Sequence, residues 1–187
     1  MRAYLLFIVV CACALAAALG ARGQSEPPMD PAPTTTPAAE DEPDLVARRL
    51  QRIIDAYRRK VWHWQRVMGR PVTLTLRHPP PQLADRVPVW RHVAKRTWAH
   101  AQHPPHAGAW RCIHSYEAGW GDAGGPYYGG LQMDLGFQQR YGAYLLRKKG
   151  TANRWTPLEQ MWVAERAYRA GRGFYPWPNT ARVCGLI

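Results

Sequence analysis

The 187-residue sequence contains only three Phe, although it has nine Trp and nine Tyr. It is also poor in acidic residues, since 13 Asp and Glu are set against 25 Lys and Arg and the formal net charge is +12 at pH 7. With 47% hydrophobic and 20% charged residues, the composition excludes a chain that is disordered throughout. The basic excess favours an anionic partner such as nucleic acid, phospholipid or a cell-wall polymer.

Long apolar runs are absent after residue 19. The run from Tyr4 to Leu19 follows Arg2 and ends in small residues, a pattern that predicts a secretory signal over residues 1–21. The run is shorter than the ~20 residues of a spanning helix, so an uncleaved anchor is the less favoured alternative. A lipoprotein attached through Cys13 is a further alternative. We expect a secreted, cell-wall protein with no stable membrane anchor after cleavage.

Cysteine is scarce as well, and two of the four residues lie in the predicted signal. Cys112 and Cys184 remain, and an even pair in an exported chain favours a disulfide, with two free thiols as the alternative. Residues 22–43 are rich in Pro and Thr and predict an extended, solvated linker.

Residues 44–105 form a basic region with 13 Lys and Arg against three Asp. Apolar residues recur at helical spacing from Asp44 to Met68. A short β-prone stretch, Val72 to Leu76, leads toward a second helix from Leu83 or Val89 to about residue 102. The two helices could pair as a hairpin. Either the hairpin binds an anionic wall polymer or nucleic acid, or its charges form the solvated face of a packing element.

Three histidines, His100, His103 and His106, suggest a metal site. Pro104 and Pro105 interrupt any shared helix face, and no Cys or carboxylate flanks the histidines at ligand spacing. We therefore expect no metal and no other cofactor.

The remaining elements are predicted from local patterns. A short helix covers Ala109 to Tyr116, and a glycine-rich loop or small hairpin covers Gly121 to Gly130. Leu131 to about Arg147 is a second helical region. Thr156 and Glu159 form a capping box that starts a third helix, and Gly171 stops that helix.

Glu117 is the residue with the clearest chemical potential. Its spacing from Trp110 and Ile113 places it on the apolar side of the short helix. A carboxyl group among apolar side chains favours its protonated form, which is the form that a general acid needs. The alternative is a surface Glu at a frayed helix end.

The residues after Glu117 have the composition of a glycan-binding cleft. Trp120, Tyr127 and Tyr128 can stack on pyranose faces, and Gln132 can bind hydroxyl and N-acetyl groups.

Three sequence elements follow one another here: Cys112, Glu117-Ala-Gly-Trp120 and the run Tyr127-Tyr-Gly-Gly-Leu-Gln-Met133. Together they resemble the resuscitation-promoting-factor, or transglycosylase-like, domain. Further elements in the same order are Leu158-Glu-Gln-Met-Trp-Val-Ala-Glu-Arg166, Gly171-Arg-Gly173, Trp177-Pro178 and Cys184. The resemblance covers approximately residues 107–187.

This resemblance implies a mainly α, small α+β lysozyme-like domain at residues 106–187, closed by a Cys112–Cys184 bridge. The helical hairpin predicted from the apolar spacing precedes this domain. It further implies that the β-1,4 bond between N-acetylmuramic acid and N-acetylglucosamine is cleaved. Glu117 falls on the catalytic glutamate of the family and Gln132 on its substrate-cleft glutamine. Trp177 is a further candidate for contact with substrate. In many members the glutamate follows the cysteine directly, whereas here four residues intervene, and the glycine-rich loop is about three residues shorter.

Cleavage has two expected outcomes, hydrolysis by water or a 1,6-anhydro product formed by the muramic 6-hydroxyl. Asp122 and Asp134 are possible helpers, although a turn-forming role for Asp122 and a helix-starting role for Asp134 are the simpler interpretations. A glutamate acting alone is favoured. We expect a monomer whose partner is peptidoglycan. The alternatives are a non-catalytic wall-binding module and a basic nucleic-acid-binding protein, and the export signal argues against the latter.

Overall fold

The computed structural model describes residues 42–187, and the fold is mainly helical with one very short β-hairpin. The predicted signal and all but the last two residues of the predicted linker lie outside the described residues. The elements are α1 (Glu42–Val67), α2 (Leu83–Ala101), α3 (Ala107–Tyr116), β1 (Tyr127–Tyr128), β2 (Met133–Asp134), α4 (Leu135–Lys149), α5 (Pro157–Ala167) and α6 (Pro178–Val183). A 3-10 turn, Ala152–Arg154, precedes α5, and a π turn, Tyr168–Arg172, follows it.

Helices α1 and α2 pair as the predicted hairpin, with a small core in which Ile54, Val61 and Trp90 are buried. Gly69 ends α1 with a φ of +67°, a backbone conformation that glycine adopts without steric cost. The observed bounds lie within two residues of the predicted ones, and of the two predicted starts of α2, Leu83 is the one found.

The β-prone stretch Val72 to Leu76 does not form a strand. Its backbone is bound by side chains of α1. The Trp62 indole donates to the Thr73 carbonyl at 2.6 Å, and the Gln65 amide oxygen accepts from the Thr73 N–H at 2.9 Å. Because these groups are satisfied by α1, the stretch follows that helix and pairs with no strand among residues 42–187.

The main core surrounds α5, most of whose residues are buried, including Met161 to Glu165. Residues from the hairpin complete this core: Val67, Met68 and Ala101 are each no more than 1% exposed. The Trp162 indole donates to the Ala101 carbonyl at 2.6 Å. The boundary at residue 106 stays a prediction, but hydrophobic packing crosses it.

Helix α4 begins four residues later than the sequence pattern suggested. The Asp134 carboxylate accepts from the Phe137 N–H at 2.6 Å and caps the helix, so Leu131 to Asp134 form a turn and β2 instead. The capping box of α5 is confirmed, since Glu159 N–H donates to the Thr156 hydroxyl at 3.3 Å and Thr156 N–H donates to Glu159 at 2.8 Å.

The Cys112–Cys184 disulfide is confirmed, and it joins α3 to the residue that follows α6. Between residues 42 and 187, none of the helices combines the length and apolar character that a membrane crossing needs.

Candidate functional site

Glu117 lies at the end of α3, where the backbone leaves the helix with φ −95° and ψ −85°. Its side chain is partly buried, and its carboxylate Oε1 accepts a hydrogen bond from the Thr180 hydroxyl at 2.8 Å. Thr180 belongs to α6, so the position of Glu117 depends on a helix 63 residues away in sequence. This contact holds a carboxyl group of α3 against α6.

Helix α6 also fixes the β-hairpin. The indole of Trp177, which precedes α6, donates to the Leu131 carbonyl at 2.6 Å. Trp177 and Thr180 are three residues apart, and therefore about one helical turn. Two side chains one helical turn apart thus contact Glu117 and the connection between β1 and β2.

The β-hairpin pairs Tyr127 with Asp134 and Tyr128 with Met133 in antiparallel register. Gln132 lies in its turn with a φ of +45°, unusual for a residue other than glycine. The Gln132 amide donates to Asp122 Oδ2 and to the Gly129 carbonyl, both at 2.9 Å. These contacts tie the hairpin turn to the loop that follows Glu117.

Gln160 of α5 supports the same hairpin from within the core, and sequence analysis assigned it no role. It is fully buried, and its side-chain oxygen accepts from the Gly130 N–H at 2.9 Å. Its amide donates to the carbonyls of Trp120, Ala152 and Trp155 at 2.9 to 3.1 Å. The sequence signal that could have identified Gln160 is a polar side chain on a helix with a buried face, because a buried polar group needs hydrogen-bond partners inside the protein.

His114 is the second contributor that sequence analysis missed. Its ring stacks on the Trp120 indole with a centroid separation of 3.9 Å and an interplanar angle of 25°. Its Nδ1 lies 3.2 Å from the Gly130 carbonyl. Since His114 is three residues before Glu117 on the same side of α3, this stacking brings Trp120 and the β-hairpin to the end of α3 that carries Glu117.

The aromatic residues predicted to contact substrate occupy different environments. Tyr127 is exposed, and Tyr128 and Trp120 are partly buried. Trp177, by contrast, is 4% exposed and packs against Trp110 and Phe137. Its burial corrects the expectation that it contacts substrate, because both its ring and its N–H are used inside the protein.

The two possible helper carboxylates have structural partners. Asp134 is exposed and caps α4, as the simpler interpretation of this residue predicted. Asp122 accepts from Gln132, and its backbone carbonyl accepts from the Gly129 N–H at 2.8 Å. The structure therefore places Asp122, Gln132 and the hairpin together and leaves Asp134 at a helix start.

The buried glutamates of α5 are held by strong donors. Burial alone would raise the pKa of Glu159, but hydrogen bonds from His63, from Lys149 and from the Thr156 N–H outweigh it and lower that pKa to about 2. Glu165 is fully buried and accepts from the Trp110 indole at 2.8 Å and from the His106 N–H at 2.7 Å. Both carboxylates join helices of the core.

Two of the three histidines considered as metal ligands make other side-chain contacts. His106 Nδ1 lies 3.1 Å from Glu165 Oε1, and its ring lies against Tyr168. The His100 ring lies 6.0 Å from Trp162. Burial, with the charges of Arg70 and His103 nearby, lowers the pKa of His100. Within residues 42–187, no group of three or more His, Cys, Asp or Glu side chains is arranged to hold a metal ion.

No protein-family model, no curated protein and no solved structure matches this chain.

Proposed function

We propose that the chain is a secreted enzyme that cleaves the β-1,4 bond between N-acetylmuramic acid and N-acetylglucosamine in peptidoglycan, with Glu117 as general acid. The observation that carries this proposal is the hydrogen bond between Thr180 and Glu117 beside a loop and hairpin rich in aromatic and amide side chains. The resemblance of residues 107–187 to the transglycosylase-like domain adds support, as does the disulfide, which is compatible with an oxidising compartment. A lysozyme-like fold for this part of the chain is included in the proposal.

Glu117 differs from the two acids of α5 in its hydrogen bonding. Glu159 and Glu165 each accept from several donors, which include the Lys149 ammonium for Glu159 and the Trp110 indole for Glu165, whereas the partner of Glu117 is a neutral hydroxyl on one oxygen. In the described part of the chain, Oε2 of Glu117 has no hydrogen-bond partner. That oxygen is free to carry a proton toward a ligand.

The Thr180 hydroxyl suits both protonation states of the acid. It lies 2.8 Å from Glu117 Oε1 and 3.4 Å from the Trp177 carbonyl. It donates to Oε1 when the carboxyl is ionised and also when the carboxyl holds its proton on Oε2, because Oε1 is a hydrogen-bond acceptor in both forms. Thr180 is therefore proposed as a positioning residue for the acid.

In the proposed reaction, Glu117 gives its proton to the glycosidic oxygen as that bond breaks, and positive charge develops at the anomeric carbon of the muramic residue. Water then adds to that carbon and passes a proton to the Glu117 carboxylate, which yields a reducing end and restores the acid. Alternatively the 6-hydroxyl of the same sugar adds and passes its proton to that carboxylate, which yields the 1,6-anhydro sugar. The rings of Trp120, Tyr127 and Tyr128 would stack on the flanking sugars, and Gln132 would bind their polar groups.

The test is mass spectrometry of fragments released from purified peptidoglycan by the wild type and by Glu117→Gln. Reducing ends identify hydrolysis, and anhydro ends identify the transglycosylase reaction. Asp85→Asn is the control, since it removes one carboxylate from an exposed position at the start of α2. Full activity of Glu117→Gln would contradict the assignment of the acid. Sedimentation of the wild type with insoluble peptidoglycan, without released fragments, would instead show the non-catalytic wall-binding module.

A further inference from the structure

Four arginine side chains line one groove at the junction of the α1–α2 connection with α4 and α5. Arg66 and Arg70 come from the end of α1 and the turn after it, Arg147 comes from α4, and Arg166 comes from α5. The groove has a volume of about 570 Å³, and Tyr144 forms part of its wall. The Arg66 guanidinium lies over the Tyr144 ring, 5.5 Å from its centroid. The fold thus brings together cations from three helices.

No carboxylate lines this groove in the described part of the chain. Glu159 is connected to the groove through His63. The His63 ring lies 3.1 Å from Glu159 and 3.2 Å from the hydroxyl of Tyr144, which lines the groove. Glu159 is only 1% exposed, and Lys149 Nζ lies 2.7 Å from each of its oxygens. Its charge is therefore balanced by Lys149, and the four arginines of the groove have no acidic partner among residues 42–187.

Arg166 is held in place by the turn above it. A Cβ atom at Gly69 would lie 3.0 Å from Arg166 Nε, so the glycine lets the backbone pass directly over the arginine side chain. Burial, with the charge of Arg169 beside it, lowers the pKa of Arg166. The guanidinium of Arg169 donates to the backbone carbonyls of Met68 and Glu165, so Arg169 does not place a carboxylate next to Arg166. Grouping like charges in this way is unfavourable unless an anion completes the site.

We propose that this groove binds the phosphate groups of an anionic wall polymer with phosphodiester links between successive units. A planar carboxylate is satisfied by one guanidinium, whereas a tetrahedral phosphate presents oxygens in several directions and can accept from several arginines at once. The choice of a wall polymer rests on the proposed function. The phosphate-binding property itself uses no residue of the site around Glu117.

The experiment is titration calorimetry of the full chain with poly(glycerol phosphate), at two salt concentrations. The test variant is Arg70→Gln/Arg147→Gln, which leaves the Arg66–Tyr144 contact and the packing of Arg166 in place. The matched control is Arg52→Gln/Arg59→Gln, which removes the same charge from exposed positions of α1. Poly-glutamate of equal charge and duplex DNA with an equal number of phosphates are the comparison ligands.

We expect salt-sensitive binding of poly(glycerol phosphate) that weakens by about tenfold in the test variant and changes less than about twofold in the control. Equal losses in the two variants would overturn the proposal, because they would indicate diffuse attraction to a basic surface. Poly-glutamate binding equally well, DNA binding more tightly, or an absence of binding would also overturn it. Glu117→Gln is titrated in parallel. Retained phosphate binding in that variant, together with no cleavage by the wild type, would refute the proposed enzyme activity alone.

Discussion

The Thr180 hydroxyl donates a hydrogen bond to Glu117 Oε1 at 2.8 Å, and it joins the end of α3 to the first turn of α6. Cys112 and Cys184 join the same two parts of the chain covalently. The acid is therefore positioned by a helix that is anchored by Trp177 at its start and by the disulfide just after its end.

Replacing Thr180 with Val removes the hydroxyl and keeps the shape of the side chain. We expect peptidoglycan cleavage to fall by up to roughly tenfold, because a hydrogen bond to a neutral carboxyl contributes about 0.5–1.5 kcal/mol and its loss frees the carboxyl to rotate. Fragment release measured by mass spectrometry, with the melting temperature measured alongside, tests this expectation. Thr180→Ser retains the hydroxyl and should keep most of the activity. Equal losses in the Val and Ser variants would argue against a role for the hydrogen bond.

Gly129→Ala should displace the β-hairpin. The φ of Gly129 is +74°, and a Cβ atom there would lie 2.5 Å from Oε1 of Gln160, a side chain that four hydrogen bonds hold in place, one to Oε1 and three from Nε2. Gly171→Ala is the matched control, since its φ is +87° but no atom lies within 4 Å of the added carbon. Gly171→Ala should lower the free energy of unfolding by about 1–2 kcal/mol through the backbone conformation alone, and Gly129→Ala should lower it by clearly more. Urea unfolding of the two variants measures the difference, and equal losses would contradict the close contact with Gln160.

Glu159 should make stability depend on pH under acidic conditions. Its pKa is about 2 in the folded protein against an ordinary value of 4.5, so the unfolded chain binds its proton first as the pH falls. The stabilisation is present in full above pH 4.5 and is lost as the pH falls toward 2. We expect Glu159→Gln to be less stable at neutral pH and to lose less stability across this interval.

Unfolding in urea at a series of pH values measures this effect, with Asp85→Asn as the control for a general change of charge. A wild type and a Glu159→Gln variant with parallel pH profiles would contradict the prediction.

A fragment comprising residues 106–187 should not fold as the full chain does. It lacks Val67, Met68 and Ala101, which are buried in the main core, and it leaves the Trp162 indole without the Ala101 carbonyl. It also lacks His63, one of the groups that hold Glu159. Near-ultraviolet circular dichroism and proton NMR of the oxidised fragment and of the full chain test this expectation. A well-dispersed fragment spectrum would show that the sequence-based boundary at residue 106 marks an independent domain.

Several features could be predicted from the sequence because they depend on local chemistry or on simple counts. The capping box at Thr156 and Glu159 is formed by residues three apart, and it is found as predicted. The disulfide was predicted from the two cysteines that lie outside the predicted signal. The hairpin of α1 and α2 followed from the spacing of apolar residues.

The errors and omissions arose where distant side chains determine the structure. Apolar residues at 72–76 suggested a strand, but Trp62 and Gln65 bind that backbone. Trp177 was a candidate for contact with substrate, but its N–H donates to the Leu131 carbonyl within the core. Gln160 was overlooked because its four partners come from three separate segments of the chain. The assignment of Glu117 as the acid stays a prediction, and its position next to Thr180 is a contact that no local pattern could indicate.

The order of synthesis gives the Thr180–Glu117 contact a further consequence. A ribosome adds Glu117 and Cys112 long before it reaches Thr180 and Cys184, so a nascent chain carries the acid without the helix that orients it. The contact that orients the Glu117 carboxyl can therefore form only after nearly all of the described chain has been translated. A prematurely terminated product that lacks Thr180 would contain this carboxyl without its partner.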